Sequence, residues 1–419
     1  MISKSCLRSP KGAAPVPRTE QPVSIVLGVV LSLSLLMAAA PYAMAGGRST
    51  DRNENAELNA TDGTPGDSFG LHVALSGSTA IVGSPGHSGI GAAYVFVRTR
   101  AGWSQQAELT PSDGASGDCF GYTVALWVGS PGATAVIGAP CKNSYTGAAY
   151  VFVRPTNSVT WSQQAELMAM HGAANDDFGN GVAVAGSTAI VGAFGSPGGG
   201  LTGAAYVFHR SNDLTWHQKA RLTASDGSPG ARFGLSIAIS GPRAIIGAYG
   251  KHSFTGAAYV FVHTNPGWSQ QAELTASDGA RGDAFGGNVS LSGSTALVGA
   301  SGKNSSTGAA YVFVDANPGW SQQAELTALH GSQGDAFGSS VGISGPNAVI
   351  GAVYRKSFAG AAYWFQESGM TWSQKATLTA SDGASGDQLG YSTSVSGSRA
   401  LVGAPFKNSS TGVAYVFSV

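Results

Sequence analysis

The chain has 419 residues, of which 11% are charged and 61 are glycine, with a formal net charge of +0. Charged residues fall well below the roughly 25% of ordinary soluble domains and glycine runs at about twice its usual share, which describes many tight turns joining strands buried on both faces. With neither a basic nor an acidic field there is nothing to draw in nucleic acid, and nucleic-acid binding is excluded as a main role.

The first 45 residues differ in kind from the rest. Lys4, Arg8, Lys11 and Arg18 precede an apolar run from Val23 to Ala40, then Pro41 and the small-residue triplet Ala43-Met44-Ala45. Basic region, hydrophobic core and A-x-A site, in that order, predict a secretory signal over residues 1–45 with cleavage after Ala45. A retained membrane anchor is the alternative reading, because the 18 residues of the run approach the length needed to span. No cysteine stands at the cleavage site to take a lipid and no second apolar run follows, so the mature chain, residues 46–419, is read as one secreted or envelope-located domain with no membrane span.

From there to the end the chain repeats itself. Phe-Gly recurs at Phe69, Phe120, Phe178, Phe233, Phe285 and Phe337, with Leu389 in the seventh copy, at spacings of 51, 58, 55, 52, 52 and 52 residues. A fixed period of this size marks a repeat architecture. The fifth copy predicts four strands, Phe285–Leu291, Thr295–Gly299, Gly308–Val314 and Trp320–Leu326, rich in β-branched and aromatic residues and separated by Gly, Ser, Asn, Asp or Pro. The third, Ala-Ala-Tyr-Val-Phe-Val, is apolar on both alternating faces and so must be covered on both sides. Hairpin-length connections such as Ser292-Gly293-Ser294 make neighbours antiparallel. The fold class is therefore all-β, a seven-bladed propeller of four-stranded blades. The last copy runs out after three strands, while an unattached Ala56-Glu57-Leu58 carries the fourth-strand signature. The N-terminal strand is thus expected to complete the C-terminal blade and close the ring. Arg52 stands where the other copies have Trp103, Trp161, Trp216, Trp268, Trp320 or Trp372, so the closing strand is expected to pack less well at its start.

Phe-Gly, then Gly-Ala-Pro as at Gly138-Ala139-Pro140 and Gly403-Ala404-Pro405, then Gly-Ala-Ala-Tyr-Val-Phe, resembles the FG-GAP repeat of integrin alpha subunits and many bacterial exported proteins. The resemblance covers essentially the whole mature chain and implies an adhesion or recognition propeller. It also brings to mind calcium loops of the form Asp-x-Asp-x-Asp-Gly between strands one and two. Here that connection is Ser-Gly-Ser-Thr at Ser76–Thr79 and Ser292–Thr295, without a carboxylate, so those calcium sites do not carry over.

Carboxylates recur instead between strands four and one, as Asp62 and Asp67, Asp113 and Asp118, Asp278 and Asp283, and Asp382 and Asp387. His171 and His330 replace the first Asp and Ala231 the second, a pattern better suited to stabilising Gly-rich turns than to holding cations. No metal and no cofactor is expected. The eight His residues show no metal-ligand spacing, and no nucleophile elbow stands out, so a non-catalytic protein is expected. Cys119 opens the first strand of the second copy and Cys141 follows its second strand, and antiparallel pairing predicts a disulfide between them.

Strand-two-to-three loops vary most between copies. They place Lys142, Lys251, Lys303, Arg355, Lys356 and Lys407 near the Asp turns, with Tyr145, Phe254 and Phe358 beside them. Variable loops on a rigid scaffold commonly carry recognition, so Tyr145, Lys251, Phe254, Arg355, Lys356 and Phe358 are the candidate contacts for a protein or glycan ligand. A solvated face where Lys balances Asp is the plainer alternative. Two other functions stay open: a propeller hydrolase or lyase acting on polysaccharide, and a structural envelope scaffold.

Overall fold

The computed structural model describes residues 50–195, 201–316 and 319–419; the predicted signal lies outside them. Among the described residues seven sheets of antiparallel, consecutive strands follow one another along the chain, the last two each joined by a strand from the N-terminal segment. In the fifth, Val289–Ser292, Thr295–Ala300, Ala309–Asp315 and Trp320–Leu326 pair in turn. This is the predicted seven-bladed propeller.

The third strand shows why the blades must stack. Ala309 to Phe313 are all 4% exposed or less. Ala309, Tyr311 and Phe313 face the fourth blade's Ala258 and Val260, whereas Ala310 and Val312 face the sixth blade's Val341 and Tyr363. Period-2 alternation thus sends one set of side chains to each neighbour, and every blade is a core element for two others.

Phe-Gly is the joint between blades. The Phe285 ring packs 5.6 Å from Tyr311 and 5.9 Å from Phe313 of its own blade. Its N–H donates to the Thr255 carbonyl of the preceding blade (3.2 Å). At Gly286, φ is +85° and a Cβ would lie 2.2 Å from the Ala257 oxygen; at Gly256, φ is +86° and a Cβ would lie 2.0 Å from the Phe285 oxygen. Only glycine on both sides lets the two backbones meet there. Farther out, the Trp320 indole N–H donates to the side-chain oxygen of Gln271 (3.2 Å), a residue at the register shift of the neighbouring blade's outer strand. Towards the axis, serine hydroxyls tie consecutive first strands, as Ser236 to the Val289 N–H and Ser290 to the Ile343 N–H.

The ring closes as expected. Ala56–Leu58 runs antiparallel to Val413–Ser418, and Leu58 is buried against Phe69, Tyr94, Leu401 and Val416. Ser68 and Phe69 donate N–H bonds to the Ser410 and Thr411 carbonyls (2.7 and 3.0 Å), repeating the joint between the last blade and the first. The closing strand has 3 residues, against 6 to 8 in the other fourth strands. Its start peels away because Arg52 is drawn elsewhere: Thr50–Arg52 adds a parallel fifth strand to the sixth blade, where the Arg52 guanidinium lies 4.8 Å from the Trp364 ring centroid.

Candidate functional site

One face of the ring carries both the Asp turns and the variable loops. Within each turn that keeps it, all but the one with Ala231, the second carboxylate accepts the backbone N–H three residues earlier, as Asp283 from Ala280 (2.8 Å) and Asp118 from Ala115 (2.9 Å). Asp67, Asp176, Asp335 and Asp387 do the same. The first carboxylate reaches the next loop. Asp278 accepts the Tyr311 hydroxyl (2.8 Å) and pairs with the Lys303 ammonium (2.6 Å), and Asp113, Asp226 and Asp382 hold Tyr150, Tyr259 and Tyr415 with Lys142, Lys251 and Lys407 in the same way.

These lysines point inward. Lys251, grouped by its sequence position with the ligand contacts, is 3% exposed and bonded to Asp226, Glu273 and Tyr259. Burial opposes its charge, but the bonds to Asp226 and Glu273 outweigh this and hold its pKa above the ordinary lysine value. It is a strut beneath the surface rather than a group facing outward, because Asp226 of the turn and Glu273 of the fourth strand offer its ammonium more than solvent does. Arg355 takes the equivalent place in the sixth blade, half-buried over Tyr363 at 5.6 Å, while Lys356 is exposed.

Tyr145, Phe254 and Phe358 do the opposite. They are 52%, 40% and 50% exposed. Each ends a run of three left-handed residues, with φ of 63°, 66° and 67°. Non-glycine residues, bulky ones above all, seldom adopt this conformation. Their carbonyls accept N–H bonds from the next blade, from Asp177, Ala284 and Gln388 (2.8, 2.7 and 2.9 Å), so the backbone is locked while the ring stays outside. The equivalent positions in the fifth and last blades are Ser306 and Ser410.

The structure adds aromatics that reading the loops alone did not single out. Tyr249 lies against Phe254 (5.8 Å), Tyr354 against Phe358 (5.0 Å) and Tyr391 against Phe406 (5.7 Å). Arg232 hydrogen-bonds the Tyr249 hydroxyl and its guanidinium sits 5.4 Å from the Phe254 ring. Tyr122, Tyr354 and Tyr391 also line the axial channel, a cavity of about 580 Å³ whose walls are first strands of all seven blades. Burial, then the neighbouring Tyr122 and Tyr354, push the Tyr391 phenol up to about 12. A signal for these residues exists in the aligned copies: Tyr249 occupies the Pro place of Gly-Ala-Pro, and Tyr122 and Tyr391 follow the Phe-Gly or Leu-Gly pair directly.

The rest of the channel lining is mainly aliphatic side chains, Ser, Thr, Asn and His72. Burial pushes His72 down to about 4, and its Nδ1 accepts the Val124 N–H (3.3 Å), so it is neutral at physiological pH. Asp177, beside Tyr122, is pushed up to about 6 by burial and then by Asp176. Cys119 and Cys141 form the expected disulfide, with Cα atoms 5.5 Å apart.

A seven-bladed ring with rigid loops gathered on one face defines a binding or scaffold module. The FG-GAP repeat family model matches seven times, over residues 53–96, 103–152, 161–208, 216–261, 268–313, 320–365 and 372–417, and the chain belongs to that family. Among curated protein sequences no match is found. Among solved structures, a chain of a mitotic checkpoint complex is 11% identical with a TM-score of 0.54, covering 93% of this chain and 99% of that one. The Saccharomyces cerevisiae protein Sqt1 is 10% identical with a TM-score of 0.50, covering 88% and 100%. At such identities the likeness concerns the fold alone. Among the described residues no helix is long and apolar enough to cross a membrane.

Proposed function

We propose that this protein is an exported, non-catalytic recognition module that binds a protein or glycan at the cell surface or outside the cell, through the aromatic loop face. The observation that carries this reading is the fixed outward display of Tyr145, Phe254 and Phe358 on left-handed backbone. Holding bulky residues there costs about 1 kcal/mol or more each, and their rings do not repay it in the core. Aromatic side chains and Arg are enriched at contact surfaces, where a few anchors supply most of the affinity. The disulfide and the commonly extracellular setting of FG-GAP repeats support export.

The experiment is a screen of glycan and envelope-protein arrays with the wild type and the triple variant Tyr145→Ala/Phe254→Ala/Phe358→Ala. The expected result is a hit weakened by about 30-fold or more in the variant, the scale of one lost anchor, with an unchanged Tm because the rings are exposed. An array hit that survives all three substitutions would remove the recognition face assigned here. Release of new reducing ends from an array polysaccharide would instead favour the hydrolase or lyase reading.

A further inference from the structure

Four blades bury a lysine among carboxylates contributed by the turn and the fourth strand: Lys142 with Asp113, Asp118 and Glu166; Lys251 with Asp226 and Glu273; Lys303 with Asp278 and Asp283; Lys407 with Asp382 and Asp387. The first blade keeps all three carboxylates, Asp62, Asp67 and Glu108, but has His87 in the lysine position. A place that elsewhere holds a permanent cation here holds an imidazole.

The geometry around His87 differs from a simple ion pair. Its Nδ1 lies 2.9 Å from Asp67 Oδ2, a carboxylate fixed in turn by the Thr64 N–H and hydroxyl. That contact makes Nδ1 the donor and turns Nε2 towards Asp62 Oδ2 (3.7 Å) and Glu108 Oε1 (3.8 Å), both beyond hydrogen-bond reach. Ligand atoms of Asp62, His87 and Glu108 all lie within 4.8 Å of one another. Tyr94 gives an independent sign. Its counterparts Tyr150, Tyr259, Tyr311 and Tyr415 donate to the first Asp of their turns at 2.7–2.9 Å. The Tyr94 hydroxyl is fully buried and makes no such close bond to its Asp62. It faces the same carboxylates: burial first, then Asp62 and Glu108, raise its pKa.

We propose that the first blade binds a divalent transition-metal ion of the zinc class through His87 Nε2, Asp62 and Glu108, with Asp67 orienting the imidazole through Nδ1. Ligand atoms about 2.0–2.2 Å from a tetrahedral ion stand roughly 3.4 Å apart, so the two His87–carboxylate separations need shrink by only a few tenths of an ångström, while Asp62 and Glu108, both exposed and free to turn, start within 4.8 Å of each other and close the remainder. A carboxylate on the far ring nitrogen is the usual partner of a metal-bound histidine. One nitrogen and few oxygens suit zinc rather than calcium, which takes six to eight oxygen ligands. The expectation of no metal followed from the calcium loops and the Asp pairs; the three residues here come from two turns and a strand and show no spacing signature.

The test uses the full secreted protein without a histidine tag, stripped with chelator and titrated with zinc chloride, calcium chloride or neither at pH 7.5. Calorimetry and thermal melts are the readouts. One zinc site and a higher Tm with zinc are expected in the wild type, and neither in His87→Lys, which restores the cation the other blades carry and so preserves the fold. Asp67→Asn is expected to weaken zinc by about 10-fold, and Glu108→Gln to weaken it further. The proposal is overturned if zinc leaves the wild type unchanged, if His87→Lys responds as the wild type does, or if calcium matches zinc. The first of these outcomes would mean that His87 serves the turn alone, through its bond to Asp67.

Discussion

A buried ammonium costs several kcal/mol unless carboxylates meet it, and Lys251 is met by Asp226 and Glu273. Because the lysine is buried and its partners are partly exposed, the two sides of the cluster are unequal. Removing both acids, in Asp226→Ala/Glu273→Ala, strands the charge and is expected to cost about 3 kcal/mol or more. Lys251→Met leaves acids that water can solvate and is expected to cost less, about 1 kcal/mol. Urea denaturation of the two variants checks the order. Burial raises the Asp226 pKa, but Lys251 and Tyr259 outweigh it and hold the acid below its ordinary 3.8. Its contribution is therefore complete above pH 3.8 and is lost as pH falls through the lowered value. Lys251, raised above 10.5, contributes fully below that pH and loses its share as pH rises past it. Melting temperature measured against pH should then show an acid limb below about pH 4 that is shallower in Lys251→Met. Lysine and Asp turns were legible as neighbours in the sequence, but which way Lys251 points was not. That depends on Glu273, a residue of the fourth strand brought alongside only by folding.

At the scale of the element, the variable loop is a short left-handed turn clamped to the blade that follows it. The second blade adds a covalent clamp: Cys119 has φ 58° in the residue before Phe120, and Cys141 begins the loop that carries Tyr145. The two cysteines are 22 residues apart, and closing such a loop stabilises by about 3 kcal/mol in the chain-entropy model. Cys119→Ser/Cys141→Ser should lower stability by that order in chemical denaturation; equal stability of the two proteins would mean the clamp is idle. The pairing could be read from the sequence because antiparallel hairpins bring strand ends together. The left-handed backbone could not, because Asn143-Ser144-Tyr145 carries no glycine to announce it.

Across the whole molecule, stability depends on a ring without a free end. Leu58 of the closing strand and Leu326 of the fifth blade occupy the same register place, opposite Ala414 and Ala310, and both are buried. If the closing strand is an equal member of its blade, Leu58→Ala and Leu326→Ala should each cost about 2–5 kcal/mol. A near-neutral Leu58→Ala, measured by thermal or urea unfolding, would show that the ring holds without its N-terminal strand. The parallel strand Thr50–Arg52 on the sixth blade adds a second tether for the N-terminal segment, through Arg52 over Trp364 and its bond to the Ser418 carbonyl (3.2 Å).

The sequence by itself determined the blade, the number of blades and the closure of the ring, because each rests on a period of about 52 residues and on apolar alternation that admits one kind of stacking. It also marked the joint residues, since Phe-Gly, or Leu389-Gly390 in the last copy, recurs wherever two blades meet. Only the tertiary structure decided which variable residues face outward. Lys251 and Phe254 are three positions apart in one loop, yet one is buried among carboxylates of a turn and a fourth strand and the other stands on the surface. The same holds for His87, whose neighbours Asp62 and Glu108 lie more than twenty residues away on either side. Repetition tells what every blade shares; the surroundings of a once-only residue are assembled by the fold.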